Sequence, residues 1–173
     1  ESYAVFYPEV SKALKEMKAK IIKGVGIDLR NNPGGMLDIC KEVADELIGE
    51  GTIVYTKDNK GNTEYLKSDK EKLGLPIVVL TNGESASAAE ILTAAIVDNK
   101  EGISVGTTTF GKGLVQSVVR LKDGTGYKLT TAQYFTPNGD YINEKGIKPT
   151  IEEKDENKQL DVATKWLREQ IDK

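Results

Sequence analysis

A chain of 173 residues with 38% hydrophobic residues is long enough to enclose one hydrophobic core without disulfides or metal ions. Its 24 basic and 27 acidic residues leave a formal net charge of -3, which provides no basic surface for nucleic acid or an anionic membrane. One cysteine excludes an intramolecular disulfide, and the absence of histidine excludes a structural zinc site made of cysteine and histidine ligands.

Helix and strand patterns alternate through the first half of the chain. Apolar residues at helical spacing predict helices over residues 8–22 and 36–48. Cys40 lies on the apolar side of the second helix, so we expect a buried packing thiol. Runs of β-branched and apolar residues predict strands over residues 25–30, 52–56, 63–68 and 76–82. The last run does not alternate, which is typical of a strand covered on both faces.

The second half begins with a helix and then becomes rich in strands. A helix is predicted to follow Ser87 and to end near residue 97, and the tail predicts another over residues 159–171. The strands predicted between them cover residues 103–105, 114–121 and 127–134, the last two joined as a hairpin around Asp123 and Gly124. This order predicts one α/β domain over residues 1–173, with a largely parallel central sheet, flanking helices and an antiparallel strand extension.

Three loops with unusual residues each follow a predicted strand, at residues 31–35, 83–87 and 106–113. Because ligands bind at the carboxyl ends of parallel strands, we expect these loops to line one crevice. Without histidine, any proton transfer in that crevice must use another side chain.

Ser87 is the first candidate for chemistry in this crevice. It opens a helix, where the helix dipole and free backbone N–H groups favour a developing negative charge, which suits a nucleophile. Ser87 and Glu90 are also spaced as a capping box. The local pattern therefore leaves open whether Ser87 is a nucleophile or only a helix cap.

Lys112 is the second candidate. It lies between Gly111 and Gly113 in an otherwise uncharged loop with apolar neighbours, and burial there would favour the neutral amine that can act as a base. The alternative is a solvated surface lysine. Residues 106–112 also match the start of a phosphate-binding P-loop, but Gly113 stands where Ser or Thr is required and a strand, not a helix, is predicted to follow. We therefore discard a nucleotide site.

Three segments together resemble the signature blocks of the carboxyl-terminal processing, or tail-specific, serine peptidases. They are DLRNNPGG at residues 28–35, SASAAE at 85–90 and FGKGLVQ at 110–116. The stretches at 129–132, 134–139 and 146–149 also look like this family. The resemblance thus covers most of the chain between residues 24 and 150.

The resemblance implies a ClpP/crotonase-like core and a serine endopeptidase that needs no metal and no organic cofactor. It implies that Ser87 is the nucleophile, Lys112 the general base and Gln116 the residue that orients the lysine. Ser85 is the less favoured serine. The oxyanion hole is expected from the backbone N–H groups of Ala88 and of the glycine pair Gly34 and Gly35, and which glycine donates stays open.

The expected partner is a polypeptide, cut in a carboxyl-terminal or unfolded segment. No stretch of the sequence approaches the roughly 18 apolar residues of a membrane span. Family members usually carry an amino-terminal helical region and a PDZ domain, which we do not recognise in this sequence. They are also exported to a periplasmic, extracellular or membrane-associated location. The oligomeric state is left open. The alternative function is a non-catalytic peptide-binding or scaffolding module with the same fold.

Overall fold

A computed structural model describes residues 6–172 of the chain. Its helices are α1 (Phe6–Ala19), α2 (Leu37–Leu47), α3 (Ala88–Asp98) and α4 (Glu156–Ile171). Its strands are β1 (Val25–Asp28), β2 (Gly51–Asp58), β3 (Thr63–Ser68), β4 (Ile77–Thr81), β5 (Gly102–Gly106), β6 (Leu114–Arg120), β7 (Gly126–Phe135) and β8 (Ile151–Glu152). The strands form two four-stranded sheets.

The first sheet is parallel throughout, in the order β1-β4-β5-β8. All five residues of β4 are buried, because helices cover both faces of this strand. Ile77 and Val79 pack into the main core with α2 and α3, whereas Val78 and Leu80 pack against α4. The prediction of a doubly covered strand is confirmed, and the missing alternation in its sequence follows from this burial.

The second sheet is antiparallel, in the order β3-β2-β7-β6. Its hairpins are closed by aspartates that accept local hydrogen bonds: Asp58 Oδ1 from the backbone of Lys60 and Asn62, and Asp123 Oδ1 from the backbone and hydroxyl of Thr125. The predicted antiparallel extension is confirmed. β6 is an edge strand of this sheet and begins directly after the loop that holds Lys112.

The largest differences from the prediction are three residues at each of two helix ends and one strand that was not predicted. Helix α1 ends at Ala19, and Ile21 beyond it has a φ of 55°. Helix α4 begins at Glu156, because the Asp155 side chain caps it by accepting from the Asn157 N–H. Strand β8 was not predicted, since two residues carry no periodicity and β8 is defined only by its pairing with β5. Across residues 6–172, no helix is both long enough and apolar enough to cross a bilayer.

Candidate active site

Ser87 lies at the sharp turn that joins β4 to α3. It is the N-cap residue of α3 with φ 56° and ψ -117°, a conformation that non-glycine residues rarely adopt. Its side chain is half-buried. A strained strand-to-helix turn of this kind is how α/β hydrolases expose a serine nucleophile above a sheet. The Ser87 N–H also donates to Glu90 Oε2, so the capping-box pairing and the strained backbone occur at the same residue.

Ser85 has a different environment. It is fully buried, its Oγ donates to the carbonyl of Leu29 at 2.8 Å, and it accepts from the Asn82 N–H at 3.0 Å. The Ser85 carbonyl in turn accepts from the Phe110 N–H. Ser85 therefore links its own turn to Leu29, directly after β1, and to the loop that holds Lys112, and it has no exposed oxygen that could attack a substrate.

Glu90 connects the turn at Ser87 to the loop at Lys112. Its carboxylate is fully buried, and Oε2 accepts from the Ser87 N–H and the Lys112 N–H, both at 2.8 Å. Oε1 accepts from the Thr109 hydroxyl at 2.6 Å and from the Gly111 N–H at 2.7 Å. Four donors on one carboxylate offset the cost of burying its charge and hold the two backbones together.

The sequence indicated only the helix-capping half of this arrangement. The signal that was available is that Glu90 is the one charged residue in an otherwise apolar start of α3, at residues 88–92. A carboxylate on a helix that is buried on most sides must be paired with donors from elsewhere in the fold.

The structure contradicts one expectation for Lys112, which is exposed and not enclosed by its apolar neighbours. The reason is that the loop turns its backbone inward. Gly111 O accepts from the Glu144 N–H and Gly113 O from the Tyr134 N–H, while Glu90 holds the Lys112 N–H. Within residues 6–172, no hydrogen bond joins Lys112 Nζ to Ser87 Oγ.

Gln116 is also exposed, and in the described part of the chain its side chain makes no hydrogen bond to Lys112. It lies on β6 opposite Thr130, immediately after a β-bulge between Val115 and Gln116. The Glu90 carboxylate thus links the backbones of Ser87 and Lys112 through one hydrogen bond to each, whereas in the described residues the Gln116 side chain has no hydrogen bond to either.

The loop at residues 31–35 packs directly against the turn at Ser87. Gly34 has a φ of 92°, and a Cβ at this position would lie 2.5 Å from the Ala86 carbonyl oxygen and 2.9 Å from Ser87 Cβ. Only glycine fits here. The Gly34 N–H already donates to Asn32 Oδ1 at 2.8 Å. Among residues 6–172, the N–H groups of Gly35 and Ala88 have no hydrogen-bond acceptor. Of the three N–H groups expected in an oxyanion hole, these two are therefore free to donate.

Arg30 attaches this loop to α4. Its guanidinium donates to both carboxylate oxygens of Asp28, at 2.9 and 2.6 Å, and also reaches the Glu156 carbonyl and Gln159 Oε1 at 3.2 Å. The hydrogen bonds from Arg30 hold the pKa of Asp28 below its usual value. The arrangement anchors the carboxyl end of β1, from which the loop at residues 31–35 departs.

Asp28→Asn should therefore change how stability depends on pH. A lowered folded pKa means that the Asp28 contribution is complete above the unfolded value near 3.8 and is lost as the pH falls through the lowered folded value. The difference in unfolding free energy between wild type and Asp28→Asn should be largest above about pH 5 and shrink below that. Urea titrations from pH 3 to 7 measure it. Asp161→Asn, on the exposed side of α4, is the matched control, and equal pH profiles for the two variants would contradict the assignment.

Cys40 lies under the same loop. It is buried, its Sγ donates to the Ala88 carbonyl at 3.3 Å, and burial raises the pKa of the thiol to about 12. The expected packing thiol is confirmed. A protonated thiol in this position cannot serve as a nucleophile.

Comparison with known proteins assigns the chain to a family. The model of Peptidase family S41 matches residues 2–153, and the chain belongs to this family. The chain is 43% identical over 144 residues to a carboxyl-terminal-processing protease of Synechocystis sp., which is 83% of this chain and 34% of that protein. It is 39% identical over 145 residues to the carboxy-terminal processing protease CtpA of Bacillus subtilis, covering 83% of this chain and 31% of that one.

A solved structure has a similar fold. The photosystem II D1 C-terminal processing protease superposes with a TM-score of 0.79 at 37% identity, over 85% of this chain and 39% of that one. The chain spans about a third of the length of the curated relatives it matches. The family resemblance predicted from the signature segments is confirmed.

Proposed function

We propose that this chain is the catalytic core of a serine endopeptidase that cuts polypeptides with Ser87 and Lys112. The observation that supports it most is the buried Glu90 carboxylate, whose Oε2 binds the backbone N–H groups of both residues. A second support is the strained conformation of Ser87 at the N-terminus of α3. Peptidases of this family among the relatives supply the reaction class.

In the proposed reaction, Ser87 Oγ attacks the scissile carbonyl carbon while its proton passes to the neutral Lys112 amine. The carbonyl oxygen becomes an oxyanion, held by the N–H groups of Ala88 and Gly35, with Gly34 keeping its bond to Asn32. Lys112 then returns the proton to the leaving amine, and water hydrolyses the acyl-enzyme with Lys112 again as the base.

Because Lys112 is exposed in the free chain, the proposed reaction requires the bound substrate to cover its side chain. An extended peptide that adds to the edge strand β6 would lie directly beyond Gly113 and cover the lysine. Excluding water favours the neutral amine, which the reaction requires. Gln116 lies on that strand, where a covered side chain could orient the amine.

The relatives named as carboxyl-terminal processing proteases support a carboxyl-terminal segment of a polypeptide as the substrate, and we extend the proposal to unfolded segments. One relative is described as chloroplastic, and an exported or membrane-associated location remains our proposal for this protein.

A second candidate, a peptide-binding module without turnover, is favoured by one observation. Lys112 is exposed and, in the described residues, its Nζ has no hydrogen bond to Ser87. Catalytic hydrogen bonds often form only when substrate binds, so this geometry by itself does not decide between the two functions. The reactivity of Ser87 with a serine-directed probe distinguishes the two functions.

Ser87→Ala is expected to abolish cleavage of an unfolded protein such as casein, because no other group in the site can form the acyl-enzyme. Its cost in stability should not exceed about 2 kcal/mol, the upper range for removing an N-cap side chain. A fluorophosphonate probe should label wild type at Ser87 and leave Ser87→Ala unmodified, as read by mass spectrometry of the peptides. The buried Ser85 of the same turn, changed to alanine, is the control for labelling at the wrong serine. Wild type that resists the probe and casein cleavage that persists in Ser87→Ala would each contradict the proposal.

A further inference from the structure

Asn143 holds the peptide group that follows Lys112. The Gly113 N–H donates to Asn143 Oδ1 at 3.2 Å. The peptide group before Lys112 is held by Glu90, whose Oε2 accepts from the Lys112 N–H at 2.8 Å. Because the two planar peptide groups that flank a residue fix its φ and ψ, these two bonds set the direction in which the Lys112 side chain leaves the backbone.

Asn143 belongs to a turn at residues 142–147 that is itself firmly anchored. Ile142 at its start is 1% exposed and packs in the main core. At its other end, a backbone N–H donates to the Thr109 hydroxyl at 2.7 Å. A Cβ on Gly113 would collide with the backbone of Asn143, so the turn and the Lys112 loop are in direct contact. The Asn143 side chain therefore has a fixed base from which to hold the Gly113 N–H.

The acceptor at position 143 is a neutral amide. Its oxygen must face Gly113, because an N–H needs an acceptor and the amide nitrogen is a donor. A carboxylate here would accept the same N–H more strongly. It would also place a negative charge near the Lys112 amine and favour the protonated form, which cannot act as a base. An amide therefore supplies position without charge.

We propose that Asn143 is a positioning residue for Lys112, which holds the proposed base in place through Gly113 without adding a negative charge beside its amine. The inference rests on the proposed peptidase function. Other charged or titratable side chains lie on the segments that contact this loop, and all of them stay unchanged in the test. They are Glu84, Glu90, Tyr134, Glu144 and Lys145, of which Glu90 and Tyr134 are buried.

The first variant, Asn143→Leu, keeps the size of the side chain and removes the acceptor. It should lower kcat on a fluorogenic peptide by about 10-fold or more, because a small displacement of a catalytic group is enough for such a loss. KM should stay within about twofold of wild type, since the substrate does not bind to this turn in the proposed reaction. Asn138→Leu, at an exposed position before the turn, is the matched control and should cleave like wild type.

The second variant, Asn143→Asp, keeps the acceptor and adds the charge. Turnover from pH 5 to 10 should reach a plateau within about threefold of wild type, which separates this variant from Asn143→Leu. The rising limb of the profile should move to higher pH by about 0.5 unit or more, the scale of one charge a few ångströms from an exposed amine. Asn138→Asp should leave the limb in place. If Asn143 only stabilised the turn, the carboxylate would not move the limb.

Failure of this inference can be told apart from failure of the peptidase proposal. If no peptide is cut above the level of Ser87→Ala, the peptidase proposal fails. Amide hydrogen exchange followed by NMR then still reports on the Gly113 N–H, which should exchange at least about 10-fold faster in Asn143→Leu than in wild type.

Three results would overturn the inference. They are equal exchange of the Gly113 N–H in the two proteins, wild-type kcat in a folded Asn143→Leu protein, and an Asn143→Asp limb that coincides with that of wild type. If Asn143→Leu does not fold, Asn143→Ala, which also lacks the acceptor, takes its place in both assays.

Discussion

Glu90→Gln is expected to reduce peptide cleavage by about 100-fold or more and to destabilise the fold by roughly 2–5 kcal/mol. The amide nitrogen of glutamine turns a donor toward two of the four groups that now donate to the carboxylate. Each unsatisfied buried group costs about 1–3 kcal/mol. A displacement of Lys112 by about 1 Å relative to Ser87 is enough for the loss of activity.

The measurement combines urea unfolding with kcat/KM on a fluorogenic peptide. Glu84→Gln is the matched control, since Glu84 lies in the same turn and is exposed. Thr109→Val, which removes one donor to Glu90 Oε1, should show a smaller loss of the same kind, and Thr109→Ser should largely restore it. Normal cleavage by a folded Glu90→Gln protein would show that the carboxylate does not position Ser87 and Lys112 for the proposed reaction.

Lys112→Arg is expected to lower cleavage on the order of 10⁴-fold or more, the scale seen when one member of a catalytic unit is lost. A guanidinium keeps its proton at any working pH and cannot accept one from Ser87. Because the Lys112 side chain is exposed, stability should change by no more than about 0.5 kcal/mol. Lys112→Met should behave in the same way.

The control is Lys122→Arg, at the exposed turn between β6 and β7, which should cleave like wild type. Turnover from pH 5 to 10 and melting temperature are measured for all four proteins. An active Lys112→Arg enzyme would end the lysine-base mechanism, because no arginine can replace a base. A Lys112→Met protein that unfolds would instead show that the side chain has a structural role that its exposure does not reveal.

Glu90 and Lys112 differ in whether their replacement should affect stability as well as activity. Glu90 is buried among four donors, so its removal should affect both properties. Lys112 makes its contacts through the backbone, so its side chain can be changed without cost to the fold. This difference follows from burial, which the two local sequences do not display.

Much of the fold could be predicted because its signals are local. Apolar periodicity located the helices, the unalternating run at residues 77–81 indicated a strand with two covered faces, and Asp123 marked a hairpin turn. The prediction that a strand and not a helix follows Gly113 is confirmed. β8 was missed because two residues have no periodicity of their own.

The candidate site was only partly predictable, because its contacts join residues that are far apart in sequence. Residue types and their order placed Ser87, Lys112 and the glycine pair in three loops that the parallel sheet brings together. Burial of Lys112 was inferred from apolar neighbours in sequence, and it is wrong because the loop packs through its backbone against residues 142–147. Which neighbours a residue has in space is decided by chain segments that lie far away in sequence.

By itself, then, the sequence determined the class of fold, the family and the residue types available for chemistry, because hydrophobic pattern and signature segments are properties of contiguous residues. Only the tertiary structure decided that Glu90 binds both the turn at Ser87 and the loop at Lys112 and that the Gly34 N–H is already engaged by Asn32. It alone showed that the turn at residues 142–147 packs against Gly113 and holds its N–H. These features depend on hydrogen bonds of about 3 Å and on the space left between packed elements, and both are set by distances that no run of neighbouring residues encodes.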